Sequence, residues 1–348
     1  MDIFEAVRAL LIFAFSFVVA LIFTPFVLHG LRKYGLNKKN IRGENHAPVF
    51  YHFHKGKSET PTMGGVIIWG TVIFLALLFL LADVIFNGFA SYFNFVNRAE
   101  TYIPLGAFLF AAVVGLIDDF LGIRGIGPKG GGLTMKGKIL LYTGVALLTA
   151  LWFYFKLGWS TLFVPFIGVV DLSFWYIPFF VFVIVASAFS ANEADGLDGL
   201  AGGILFFTFG ALAVVSFVMH RYDLAVMNAA ILGSLLAFLW FNIYPARFFM
   251  GDTGSMSLGI TLGVVAMLTN TALFLPFFGF ILVVESLSVI VQMVYKKFFK
   301  KKLFLSTPIH HHFEGLGWPE SLVTMRFWFI SAVSTIFGLV LFFLARFA

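Results

Sequence analysis

Five carboxylates, Asp118, Asp119, Asp195, Asp198 and Asp252, lie at or beside the ends of long apolar segments in a chain that is 60% hydrophobic and 11% charged. Acids at the lip of a bilayer are costly to keep ionised unless cations hold them, so by default they mark a functional site. Asp118-Asp119 closes one apolar segment, where a helix dipole is already negative, and the pair needs a nearby cation, either Mg²⁺ or a lysine such as Lys138. In Asn192-Glu193-Ala194-Asp195-Gly196-Leu197-Asp198-Gly199 two acids stand three apart, which on a helical turn puts them on one face. That arrangement suits a hard cation, or the hydroxyls and amides of a nucleotide. Asp252, in Phe249-Met250-Gly251-Asp252-Thr253-Gly254-Ser255, reads alone as a helix cap. Joined to the other four acids it reads as a ligand for Mg²⁺, which takes one or two carboxylates, keeps waters and shares substrate phosphate oxygens. His310, His311 and His312 are consecutive and cannot all face one metal from a regular helix, so phosphate contact, proton transfer or loop anchoring fits them better.

These groups must be held by the apolar segments themselves. Several segments reach the roughly 20 residues a helix needs to cross about 30 Å of hydrocarbon, and they lack the strict alternation of barrel strands. The expected fold is therefore an all-α, polytopic membrane protein forming a single domain over residues 1–348. Its ten transmembrane helices fall near 7–28, 64–86, 102–121, 138–156, 175–191, 201–219, 224–242, 256–273, 275–295 and 327–347. The first span is too long for a signal-peptide core and is followed by Phe23-Thr24-Pro25-Phe26 rather than a cleavage pattern, so it is expected to stay. Glu285, inside the ninth span with Ser286 and Gln292 nearby, reads as one partner of an interhelical hydrogen bond.

Sidedness comes from the cations. With the N- and C-termini outside, Arg32, Lys33, Lys38, Lys39, Arg42, Lys55, Lys57, Arg124, Lys129, Lys136 and Lys138 fall in inner loops, with Arg247, Arg326 and the run Lys296 to Lys302. Of 23 lysines and arginines, only Arg8, Arg98, Lys156, Arg221 and Arg346 remain outside, so the acidic motifs face the cytoplasm. The net charge of +6 belongs to loops beside anionic lipid; no soluble domain presents a groove to nucleic acid. There is no cysteine, which excludes disulfides and any thiolate nucleophile or metal site. Gly127-Pro128-Lys129-Gly130-Gly131-Gly132 lacks the Gly-Lys-Ser/Thr ending of a phosphate-binding loop and reads as a flexible connection.

Together these residues resemble the phospho-N-acetylmuramoyl-pentapeptide transferase family. The resemblance is carried by Pro61-Thr62-Met63-Gly64-Gly65, Asp118-Asp119-Phe120, Asp195 to Ala201, Trp240-Phe241-Asn242, Phe249 to Ser255, and His310 to Glu314 followed by Gly317-Trp318-Pro319-Glu320. It implies a bacterial plasma-membrane homodimer with cytoplasmic active-site loops. It also implies transfer of phospho-MurNAc-pentapeptide from UDP-MurNAc-pentapeptide to undecaprenyl phosphate, giving lipid I and UMP. By matching positions, Asp252 resembles the family's Mg²⁺ ligand, Asp118 the candidate base for the lipid phosphate, and Asp119 a shaping residue of the same acidic site. Lys57, Thr62, Asn192, Asp195, Asp198, Asn242 and Phe249 resemble residues around the nucleotide and sugar, with Phe249 offering a face to uracil; His311, with His310 and His312, would close the site.

The chain also departs from the family pattern. Phe189 stands where an amide is common, Glu193 adds a charge, and Gly122 stands where a lysine often follows the Asp-Asp pair, leaving Lys129 as a substitute. Two other functions fit parts of the pattern. A transferase of GlcNAc-1-phosphate to polyprenyl phosphate would share the acidic motifs but not the histidine cluster with Gly317 to Glu320. A cation-coupled transporter would place its acids near the midplane, in repeated halves.

Overall fold

The computed structural model describes residues 2–37, 57, 59–86, 88–96, 99–128 and 131–347; Lys38, Lys39, Arg42, Lys55, Arg98 and Lys129 lie outside the described residues. The helices are α1 (Asp2–Lys33), α2 (Gly65–Phe86), α3 (Ala99–Arg124), α4 (Met135–Leu151), α5 (Tyr176–Ala194), α6 (Leu200–Val218), α7 (Tyr222–Asn242), α8 (Asp252–Leu268), α9 (Leu275–Phe278), α10 (Phe280–Phe299), α11 (Ile309–Gly315) and α12 (Glu320–Phe347). Apolar residues surround most of them instead of forming one stripe, which suits a helix with neighbours on one side and lipid on the other. Phe74, Leu81 and Ile85 of α2, Leu140 and Leu148 of α4, and Phe329, Val333 and Ile336 of α12 are exposed in this way.

Eight helices among the described residues are long and apolar enough to cross a membrane, or nine if the bent pair at α9–α10 counts as one span. α8 has 17 residues, fewer than a full crossing usually takes, and every residue from Thr253 to Leu268 is buried. The expected straight ninth span is instead broken, with Ala272–Phe278 meeting Phe280–Phe299 at 90°. Hydropathy records composition and not direction. At the break Gly279 leaves the helical region (φ −116°, ψ 42°), and the carbonyl of Phe278 accepts from Thr208 Oγ1 at 3.1 Å and Thr335 Oγ1 at 2.9 Å. Two hydroxyls thus satisfy a backbone group that the bend releases. The fold is also not wholly helical: β1 (Thr161–Val164) and β2 (Gly168–Asp171) form an antiparallel hairpin with Leu162 opposite Val170. Four-residue strands give too short an alternation to stand out in sequence among apolar spans.

α8 is the post around which α2, α3 and α5 pack. Without a hydrophobic drive between helices in lipid, close approach of small residues and interhelical hydrogen bonds hold such a bundle. A side chain on Gly65 would lie 2.4 Å from Cα of Gly254, and one on Gly259 would lie 2.7 Å from Cα of Ala188. Thr253 Oγ1 donates to the Ala112 carbonyl at 2.8 Å and accepts from Trp69 Nε1 at 3.1 Å, tying α2, α3 and α8 together where α8 begins. α1 lies along α7, with Ser16 Oγ donating to the Ala230 carbonyl at 2.6 Å. At the start of α7, Arg8 binds Glu5 at 3.0 Å, Asp223 at 2.7 Å and the Asn94 carbonyl at 2.9 Å. The acidic motifs lie at the opposite end of α7.

Candidate active site

The last turns of α3 carry Asp118 and Asp119, and α8 begins at Asp252. α4 starts at Thr134, whose hydroxyl accepts from Gly137 N at 3.2 Å, and this cap sets Lys138 one turn into the helix. Lys138 Nζ lies 3.1 Å from Asp118 Oδ2 and 2.6 Å from Asp252 Oδ1. Asp118 Oδ1 accepts from Leu133 N. Asp252 does not cap its own helix. Asp119 does so from α3, its Oδ1 accepting from Asp252 N at 3.1 Å and its Oδ2 from Thr253 N at 3.0 Å. A carboxylate on those first amides is the favourable partner for a helix N-terminus. The cap needs a glycine at position 251, which sits at φ 74° and whose added Cβ would fall 2.5 Å from Asp119 Oδ2. With that duty met elsewhere, Asp252 turns to Lys138 and to Asn192, whose Nδ2 donates to Asp252 Oδ1 at 2.6 Å and to Ser255 Oγ at 3.1 Å.

A second group forms where α5 turns into α6. Residues 195–199 are a turn and not a helix, so the expected shared face of Asp195 and Asp198 does not form. Asp195 Oδ2 accepts from Gly251 N at 3.1 Å. Asp198 Oδ1 binds Lys57 Nζ at 2.6 Å while its Oδ2 accepts from Ala246 N at 3.0 Å. Lys57 also meets Glu320 at 2.5 Å, and Glu320 Oε1 accepts from Asp198 N at 2.7 Å. The ammonium lies 5.8 Å from the ring centre of Phe249 and 5.9 Å from that of Tyr244. Thr62 is buried, and its hydroxyl borders Gly251, within 2.8 Å of where a Cβ there would be. The neighbouring backbone zips onto the same loop: Phe249 N donates to the Pro61 carbonyl at 2.8 Å, and Gly64 N to the Phe249 carbonyl at 2.8 Å. Asn242 is a turn clamp, its Oδ1 accepting from Gly199 N at 3.0 Å and its Nδ2 donating to the Phe248 carbonyl at 2.8 Å.

The three histidines sit on α11 and take three directions. His310 Nδ1 is 2.9 Å from Glu285 Oε2, His311 Nδ1 is 2.6 Å from Glu314 Oε2, and His312 Nδ1 accepts from Leu305 N at 3.2 Å. His310 and His311 are buried and their ring centres are 4.1 Å apart. His310 reaches the acidic turn, since a side chain on Gly196 would meet its Nε2 at 2.2 Å. Glu320 and Glu314 entered the sequence reading only as parts of a family motif. Their functional signal is a partner more than a hundred residues away for the first, and an i, i+3 pairing on α11 for the second.

The donor set suits a hard divalent cation. Among the described residues, no group of three or more His, Cys, Asp or Glu side chains could hold a metal alone. Asp118 and Asp252 nevertheless converge on one cationic position, that of the Lys138 ammonium. Two carboxylates with remaining positions left to water and phosphate oxygens is the coordination that Mg²⁺ prefers.

A cavity of about 740 Å³ opens between α4, α5, α8 and the bent α9–α10 pair, lined on α4 by residues that flank Lys138 in sequence. Met135, Ile139, Phe182, Phe189, Leu282 and Leu287 are among its lining residues, with Thr143, Ser187, Ser190 and Ser286 as the few polar ones. Phe189, a departure in the sequence, is therefore part of an apolar wall. Gly122 faces open space.

Residues 101–270 match the model of glycosyl transferase family 4, and residues 57–68 match phospho-N-acetylmuramoyl-pentapeptide-transferase signature 1. The chain is 37% identical to a phospho-N-acetylmuramoyl-pentapeptide-transferase of Chloroflexus aggregans, over 96% of this chain and 89% of the relative. It is 37% identical to one of Caldanaerobacter subterraneus subsp. tengcongensis, over 92% and 94%. A third, from a Wolbachia sp. of Brugia malayi, is 36% identical over 94% and 96%. Capping in trans by Asp119, the carboxylates on Lys138 and the paired histidines thus sit inside a likeness that runs nearly end to end, and the chain belongs to the phospho-N-acetylmuramoyl-pentapeptide transferase family.

Proposed function

We propose that this end of the bundle transfers phospho-MurNAc-pentapeptide from UDP-MurNAc-pentapeptide to undecaprenyl phosphate, releasing UMP and forming lipid I in the first membrane step of peptidoglycan synthesis. The observation that carries the reading is the convergence of Asp118 and Asp252 on one cationic position, that of Lys138 on α4, the helix that also lines the apolar cavity through Met135 and Ile139. A polyprenyl phosphate needs both parts, oil for its tail and positive charge for its head.

Asp118 takes the proton of the lipid phosphate. The freed oxygen attacks the sugar-linked phosphorus, and the bond from that phosphorus to the bridging oxygen breaks, so that UMP leaves with the electron pair. Lys138 stands between the two carboxylates where negative charge gathers, and Asn192 holds Asp252 in place. Mg²⁺, held by Asp252 with Asp118 beside it, would supply Lewis-acid stabilisation to the pyrophosphate oxygens. Lys57 and Phe249 offer a cation and a ring to the nucleotide, and His310 to His312 stand over the diphosphate. In this direct attack Asp118 serves as base and no covalent aspartyl intermediate forms.

The chain is a multi-pass membrane protein. Ten crossings result when α8 and the α9–α10 pair each count, with both termini outside, the acidic loops in the cytoplasm of a bacterium and lipid against the exposed Phe and Leu side chains. A homodimer is part of the same reading. UMP release by purified protein, with and without Mg²⁺, is the test: release that needs UDP-MurNAc-pentapeptide, polyprenyl phosphate and Mg²⁺ is expected. Consumption of UDP-GlcNAc alone would overturn the donor. Ion flux into liposomes without UMP release would overturn the reaction class.

A further inference from the structure

Glu285 lies inside α10, fully buried, and the reaction just described gives it no task. The expected interhelical hydrogen bond forms, and its partner is the histidine cluster on α11, 25 residues on, with Oε2 2.9 Å from His310 Nδ1 and neither side chain exposed. We propose that Glu285 is a positioning residue, which holds the His310 ring and its Nδ1 proton so that Nε2 is presented to the Asp195–Gly196 turn. The inference rests on the transferase reading, in which the histidine cluster stands over the donor diphosphate.

Three observations support it. A carboxylate facing Nδ1 selects the tautomer with the proton on that nitrogen and gives Nε2 the role of acceptor, or of second donor once the ring is protonated. Nε2 is the atom nearest Gly196, where an added Cβ would come within 2.2 Å, so glycine at this position leaves the ring its seat on Glu285. His311 repeats the arrangement independently, its Nδ1 on Glu314 Oε2 at 2.6 Å, so two adjacent rings both spend Nδ1 on a carboxylate. Burial strengthens such a bond and makes its loss costly, because a carboxylate removed from one side leaves an imidazole without its orienting partner in a dry site.

The test combines turnover with histidine ¹⁵N NMR of the detergent-solubilised full chain, the His310 signal being assigned by its absence in His310→Ala. In mildly alkaline buffer the wild type should show His310 protonated on Nδ1. Glu285→Gln, whose amide can donate as well as accept, should shift that signal toward the Nε2-protonated form and lower kcat for UMP release by about tenfold or more. The double variant Glu285→Gln/His310→Ala should be no slower than His310→Ala, since Glu285 acts through the ring. Wild-type turnover in Glu285→Gln, losses that multiply in the double variant, or an Nε2-protonated His310 in the wild type would each overturn the proposal. The last measurement decides even if the glutamine variant does not fold. A wild-type preparation that releases no UMP would sink the transfer reading and leave the tautomer result standing.

Discussion

Lys138 and Lys57 each sit between two carboxylates at the same end of the bundle, yet their settings differ. Lys138 and its partners Asp118 and Asp252 are carried by α4, α3 and α8, and α3 is locked to α8 by the close approach of Gly115 to Asp252 and by the Thr253 bond to Ala112. Lys57 comes from the sequence between α1 and α2, close to the rings of Phe249 and Tyr244, and its partners Asp198 and Glu320 are further tied by backbone amides of Ala246 and Asp198. A cation held between acids from three helices can place charge against a reacting phosphate. A cation over aromatic faces can hold a planar base and its phosphates without touching the bond that breaks. The difference assigns bond making to the Lys138 half and donor retention to the Lys57 half.

The most severe way to break this division is to remove its charge centre. Asp252→Ala is expected to lower kcat for UMP release by about 10³-fold or more, the scale of several kcal/mol of lost charge stabilisation in the transition state. Asp118→Asn should fall into the same range. Chelation of divalent metal should match both variants, and Mg²⁺ should restore only the wild type. Because Asp119 and not Asp252 caps α8, Asp252→Ala should keep the wild-type melting temperature within a few degrees. Full activity in this variant would remove the metal role altogether.

Lys138→Ala comes next, with kcat about 10²-fold lower, the loss typical of one preorganised charge partner. Its donor KM should change little. If KM moved instead and kcat did not, the two halves would not be divided as proposed. His311→Ala should cost a similar factor in kcat, since the ring and its Glu314 partner are buried over the site.

Much of this was legible in the sequence, and the misses have physical causes. Long apolar runs revealed nearly every helix, because a chain in lipid must satisfy its backbone within each segment. The 90° turn at Gly279 and the hairpin at 161–171 escaped, since composition carries no direction and four-residue strands carry little pattern. The acids Asp118, Asp119 and Asp252 stood out because charge is rare at membrane depth. Their division of work did not: that Asp119 caps α8 while Asp252 turns to Lys138 depends on how α3 crosses α8, which no spacing encodes. Asp195 and Asp198 misled in the other direction, because their three-residue interval suggested a helix where Gly196 and Gly199 permit a turn. Glu320 was hidden by distance, as its carboxylate meets Lys57 across 263 residues.

The smaller effects sharpen the donor side. Lys57→Ala should raise the KM for UDP-MurNAc-pentapeptide about tenfold and leave kcat within about threefold, measured by initial rates of UMP release at saturating lipid; about 1.4 kcal/mol of uniform binding is lost. Glu320→Gln should do less. The amide oxygen can still accept from Asp198 N, and Asp198 still holds Lys57 at 2.6 Å, so the ammonium keeps one of its two anchors. What disappears is the second negative charge beside the Lys57 ammonium, and partly screened pairs of this kind contribute about 1 kcal/mol or less. A KM raised by about two- to fivefold, with kcat unchanged, is therefore expected. A fall in kcat as large as that of Lys138→Ala would mean that Lys57 reaches the reacting phosphates, and that one continuous cationic surface replaces the two halves.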